Sequence, residues 1–92
     1  MAQETVKIPY TNLRDLGDVI DILVKGKAIS QKGPVAVVNN KSQTRYTASD
    51  PRFGNLEIVV AEGGAGEDIE VTMSGDDDSV ELLADVLRDT CT

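Results

Sequence analysis

Two alternating segments, Asn55-Leu-Glu-Ile-Val-Val-Ala61 and Asp68-Ile-Glu-Val-Thr-Met73, constrain this chain more than any other feature. Leu56, Ile58 and Val60 in the first and Ile69, Val71 and Met73 in the second fall at every other position, the period of a strand that buries one face. Gly63-Gly-Ala-Gly66 lies between them and reads as the turn of a hairpin. The rest of the chain has to pack on that hairpin.

A glycine run after a strand invites comparison with phosphate-binding loops, which need backbone amides at a helix start and usually a lysine. Here the run is flanked by Glu62, Glu67 and Asp68 and leads into a strand. A plain turn is expected.

Beyond the hairpin, a helix is expected from about Asp78 or Ser79 to Thr90. Asp78 and Glu81 have capping-box spacing, Asp76, Asp77 and Asp78 meet the positive end of the helix dipole, and Arg88 lies near its negative end. Val80, Leu83, Ala84 and Leu87 form an apolar stripe that Leu82 and Val86 widen to roughly 200°.

Upstream, Thr5-Val-Lys-Ile-Pro-Tyr10 reads as a strand with Val6 and Ile8 on one face and Lys7 on the other. A helix follows from about Leu13 to Lys25, capped by Thr11 or Asn12 and stopped by a left-handed Gly26. Its apolar side is Leu13, Leu16, Ile20, Leu23 and Val24, again widened to roughly 200° by Val19 and Ile22. Gly17, inside this helix, costs about 1 kcal/mol relative to alanine. Close packing on a sheet is the expected reason.

In the middle of the chain, Lys27-Ala-Ile-Ser30 is a candidate short strand, Gly33-Pro34 a turn, Val35-Ala-Val-Val38 a strand and Asn39-Asn40-Lys41-Ser42 a reversal. Gln43 to Ser49 returns as the most polar strand, with Thr44 and Tyr46 on one face and Arg45 and Thr47 on the other; an edge position is expected for it. Asp50-Pro51 and Gly54 mark the next turn. The expected fold is a small single-domain α+β chain over residues 1–92, ordered β-α-β-β-β-β-α, with a mostly antiparallel sheet of four or five strands packed against two amphipathic helices. Both helices are more apolar than a two-layer monomer requires and the chain has only three aromatic residues, so a homodimer through helix or edge contacts is expected.

Charge is uneven along the chain. Residues 25–52 hold six bases, Lys25, Lys27, Lys32, Lys41, Arg45 and Arg52, against the single acid Asp50, whereas residues 53–92 hold eleven acids against Arg88 alone. If that imbalance survives folding, the acidic half presents a field that attracts basic partners.

Catalytic equipment is sparse. There is no histidine, so a zinc site of the usual nitrogen and sulfur kind is excluded, and the single Cys91, placed where chains usually fray, reads as a spare thiol without an activating base. Gly75-Asp-Asp-Asp-Ser79 gathers hard oxygen donors but lacks the alternating ligands, internal glycine and closing glutamate of a calcium loop. No metal, no cofactor and no enzymatic activity are expected. No apolar run is long enough to cross a bilayer and no signal segment is evident, so a cytoplasmic protein of a bacterium or its phage is expected.

The leading expectation is a non-enzymatic binding module whose carboxylates, Glu62, Glu67, Asp68, Asp76, Asp77, Asp78, Glu81 and Asp85, engage a basic surface on a nuclease or another nucleic-acid-handling protein. They would act as phosphate mimics, in the manner of an inhibitor. One alternative is a self-assembling structural subunit that sets basic regions against acidic ones. Another is direct nucleic-acid binding through Lys41, Arg45 and Arg52, near Tyr46 and Phe53, by phosphate contact and stacking.

Overall fold

The computed structural model describes residues 2–64 and 66–92, and of Phe53 the backbone alone. Among them are six strands, β1 (Ala2–Ile8), β2 (Ile29–Gln31), β3 (Ala36–Val38), β4 (Lys41–Ala48), β5 (Leu56–Glu62) and β6 (Ile69–Gly75), and two α-helices, α1 (Leu13–Lys25) and α2 (Asp77–Cys91). The strands form one antiparallel sheet in the order β1-β6-β5-β4-β2, with β3 also paired to β4. This is a small α+β fold, as expected, with one strand more than the five of the expected order. No helix among the described residues is long and apolar enough to cross a membrane.

The hairpin forms the middle of the sheet. Ile58 faces Met73 and Val60 faces Val71 across β5 and β6, while Val6 and Ile8 of β1 continue the same face opposite Val71 and Ile69. All of these side chains are buried, and they make one cluster with Leu16 of α1 and with Val80, Leu83, Ala84 and Leu87 of α2. Both helices therefore lie on one face of the sheet, and the core is the layer between. Each fully buried aliphatic side chain there contributes about 1.5–3 kcal/mol by leaving water. The opposite face carries Thr5, Lys7, Glu70, Thr72, Glu57 and Arg45, alternating out of the same strands as the period of two requires.

Several local expectations are corrected by the packing. β4 is not an edge strand: it runs between β5 and a divided edge in which β2 pairs with Thr47 and its neighbours while β3 pairs with residues 41–43. Its polarity reflects the uncovered face on one side and the thin helical cover of Thr44 and Tyr46 on the other, both part-buried. The edges are β1 on one side and β2 with β3 on the other.

Helix α1 has the expected bounds but different ends. Asn12 stands at its N-cap position without a side-chain capping bond, because its amide instead donates to the Cys91 carbonyl at 2.6 Å and ties the start of α1 to the end of α2. Gly26 is right-handed, with φ −75°, and the left-handed residue is Lys27 at φ 60°. Glycine suits position 26 because a Cβ would come within 3.1 Å of the Ile22 carbonyl oxygen. Gly17 is exposed, and a Cβ there would meet nothing within 4 Å, so close packing on the sheet is not its reason. Val24 of the expected stripe is 39 % exposed, as Leu16 takes the only fully buried position on this helix.

Asn39 and Asn40 both adopt positive φ, 53° and 65°, and turn β3 directly into β4. Cys91 is not a frayed thiol. It closes α2 inside the core with no exposed surface, and burial, followed by the field of Asp15, pushes its thiol above the ordinary value.

Candidate functional site

The acid-rich segment after β6 is built around Gly75 and Asp76. Gly75 has φ 143°, and the Asp76 N–H donates to the Asn55 carbonyl at 2.8 Å while the Asp76 carboxylate accepts from the Asn55 N–H at 3.0 Å. This reciprocal pair fixes the point from which α2 leaves the sheet. Asp76 is the N-cap residue of α2 but its side chain does not cap the helix, and the capping box expected of Asp78 and Glu81 is not formed because the helix begins at Asp77. Asp77 and Asp78 occupy the first turn and Arg88 the last, the polarity the helix dipole favours.

The eight carboxylates expected to bind a partner do not share one surface. Glu62, Glu67 and Asp68 stand at the β5–β6 turn, whose tip residue Ala65 lies outside the described residues, whereas Asp76, Asp77 and Asp78 stand at the other end of β6. Seven strand residues lie between Asp68 and Asp76 and separate the two groups by about 26 Å. Several of the eight are already engaged, among them Asp76 with Asn55, Glu67 with the Gly64 N–H at 3.3 Å, and Asp85 with Arg88 at 3.6 Å. Asp78, Glu81, Glu62 and Asp68 are exposed.

The basic middle segment folds back on acids. On the uncovered sheet face Arg45 of β4 pairs with Glu57 of the neighbouring β5 at 3.4 Å and Lys41 of β4 reaches across β5 to Glu70 of β6 at 3.9 Å, and Arg52 holds Asp50 at 2.6 Å. The Arg52 side chain and its backbone N–H keep the Asp50 carboxyl below its ordinary value. Thus the three bases expected to contact nucleic acid each carry a carboxylate. Arg45 and Tyr46 do point to opposite faces, as their alternation requires, and the Phe53 side chain lies outside the described residues.

Charge segregation therefore takes a form that chain order does not show. The halves of the sequence are interleaved on the sheet, where Lys7 faces Glu70 and Arg45 reaches Glu57. The helices keep the imbalance: Asp15, Asp18 and Asp21 on α1 with Asp77, Asp78, Glu81, Asp85 and Asp89 on α2 make eight acids, against Arg14, Lys25 and Arg88. One of those bases is further drawn off, since Arg88 bonds to Glu4 of β1 as well as to Asp85. The molecule is acidic on its helical layer and balanced on its sheet face.

A cavity of about 160 Å³ opens between α1 and the sheet. Leu16 and Val60 are its buried floor, with Ile20 and the Tyr46 ring part-buried beside them. Asp21 and Glu62 are its exposed rim, and neither enters an ion pair among the described residues. Burial first, then the fields of Glu62 and Asp21, raise the Tyr46 phenol above its ordinary value of 10.0. Of this set Glu62 is among the carboxylates expected to bind a partner, and Tyr46 is expected only for stacking on nucleic acid. Asp21 reads in sequence as one more solvated charge, although Leu13, Gly17 and Asp21 recur every four residues and so make one ridge along the helix.

Compared with protein-family models, with characterised proteins and with solved structures, the chain matches none.

Proposed function

We propose that this protein is a non-enzymatic binding module that presents the carboxylates of its helical layer to a basic surface on a protein partner. The observation that carries the reading is the excess of acids on α1 and α2 beside a sheet face whose charges are paired. Basic surfaces of this kind serve nucleases and other nucleic-acid-handling proteins, for which an array of carboxylates stands in for phosphates. Occupation of such a surface would inhibit the partner. A binding rather than catalytic role is also supported by the residue inventory: there is no histidine, and the one thiol is shut in the core.

The test compares two charge-neutralised variants in association kinetics with the partner captured from the native host. Asp15→Asn, Asp18→Asn, Asp78→Asn and Glu81→Gln together remove helical charge while sparing Asp76, which holds Asn55. Electrostatic steering is worth 10 to about 1000-fold in rate at low salt, so this variant is expected to associate at least tenfold more slowly and with a flatter salt dependence. Glu57→Gln with Glu70→Gln, on the sheet face, is expected to leave both unchanged. Equal behaviour of the helical variant and the unmodified protein would remove the proposal.

A second reading, a self-assembling subunit, is favoured by the β3 edge. Val35, Val37 and Val38 there are 51 %, 72 % and 45 % exposed, and β3 pairs with β4 alone among the described residues. An apolar edge with unpaired backbone groups is a template for another strand. Light scattering is expected to give a mass near twice 9.8 kDa at high concentration, returning to 9.8 kDa for Val37→Lys. A wild-type monomer at every concentration would exclude this reading.

A further inference from the structure

We infer that the cavity between α1 and β4 receives a single arginine side chain of the basic partner, with Asp21 and Glu62 holding the guanidinium and Tyr46 lying against it. The inference rests on the proposed reading, of which it names the docking point. Volume sets the class of occupant: about 160 Å³ is too small for a metabolite or cofactor, whose sites run to roughly 300–1,000 Å³, yet it admits one long side chain. The lining sets its chemistry. A floor of Leu16 and Val60 suits an aliphatic stem, and the Tyr46 ring offers an aromatic face on which a guanidinium stacks.

Two carboxylates at the rim then call for a cation with several donors. Asp21 comes from α1 and Glu62 from the end of β5, so the fold, not chain proximity, brings them to one opening, and no base lines it. After burial, the charges of Glu62 and Asp21 both act to raise the Tyr46 phenol, whose side chain lines the same cavity. Arginine, with five donors in a planar fork, can serve both carboxylates while its plane lies on the ring; the compact ammonium of lysine cannot do all three.

Gly17 supplies an independent reason. It weakens α1, no neighbour within the chain would obstruct a side chain there, and it lies in the cavity wall. A glycine at position 17 leaves this part of the cavity wall without a side chain.

The experiment is a titration of the full chain with N-acetyl-arginine amide, followed by amide and tyrosine proton NMR, with N-acetyl-norleucine amide as the uncharged control. Saturable shifts are expected at Gly17, Asp21, Thr44 and Tyr46, with half-saturation at about 1–10 mM for so small a probe, and none of this pattern with norleucine amide. Asp21→Asn with Glu62→Gln is expected to weaken binding at least tenfold. Gly17→Leu is expected to abolish it while the thermal unfolding midpoint holds or rises by about 4 °C. That last pair of readouts separates a blocked cavity from a damaged fold. Undiminished binding to Gly17→Leu, or equal binding of norleucine amide, overturns the inference. Shifts confined to the first turn of α2 overturn it while leaving the acidic-layer reading in place, and the absence of any shift with hexa-arginine at low salt overturns both.

Discussion

Replacing Gly75 by alanine is expected to cost about 3 kcal/mol or more, a large part of the roughly 5–10 kcal/mol that a domain of this size has in total. Two separate effects add at this position. The φ of 143° belongs to a region that side-chain-bearing residues rarely enter, worth about 1–3 kcal/mol of strain. A Cβ would also overlap the Asn55 carbonyl oxygen outright and stand 2.7 Å from its carbon and 3.0 Å from the Leu56 Cα, an overpacking that costs about 1–3 kcal/mol more. Relief would require β5 to move away from β6, which breaks the reciprocal bonds between Asn55 and Asp76 that launch α2. Gly64→Ala is the control: it sits in the β5–β6 turn with nothing within 4 Å of a Cβ, and its midpoint in urea is expected to stay close to that of the unmodified protein. A Gly75→Ala variant within 0.5 kcal/mol of the unmodified protein, a difference of about the size of an ordinary surface substitution, would contradict this account of the β6–α2 junction.

Met73→Ala is expected to destabilise by about 3 kcal/mol, within the 2–5 kcal/mol seen when a large buried side chain is cut to a methyl group. Met73 has no exposed surface and sits on the helix-facing side of β6, between Glu4 of β1 and Ile58 of β5 in the register. Truncation there leaves a void at the centre of the layer shared by the sheet and the helices, where neighbours on both sides are held by their strands and cannot collapse inward. Met73→Leu conserves volume and is expected to cost less than about 1.5 kcal/mol. Urea midpoints of the two variants check the claim. If both lose the same amount, flexibility of the methionine rather than filled volume governs the position.

These expectations depend on features that differ in how visible they are before folding. The hairpin and the bounds of α1 could be read directly, since Leu56, Ile58 and Val60 or Leu13, Leu16 and Ile20 signal their period within a few residues. The inward faces followed from the same periods, and Val80, Leu83, Ala84 and Leu87 are buried together as the helical stripe predicts. Gly75 was less legible. Its sequence position marks only the end of a strand, and the clash that makes glycine necessary comes from Asn55, twenty positions earlier and two strands' length away along the chain.

Position in the sheet was not legible at all for β4. Its polar composition resembles an edge strand, but the neighbours that cover its outer side are two three-residue strands, β2 and β3, neither of which carries enough sequence to declare its pairing. Cys91 shows the same limit from the other direction. Nearness to the chain end argues for fraying, and the Asn12 amide on its carbonyl, 79 positions away, holds it in the core.

The sequence by itself determined the local periods, and with them the strand faces, the two helices and the total excess of acid, because each of these is set by residues within a turn or a strand of one another. The tertiary structure alone decided where the charge lies. Antiparallel pairing brought Lys41 and Arg45 beside Glu70 and Glu57, neutralising the sheet face and leaving the surplus on the helices. It also brought Asp21 and Glu62 to one opening above Tyr46. Coulomb interactions act through space, so a count of charges along the chain fixes their sum, and only folding fixes their neighbours.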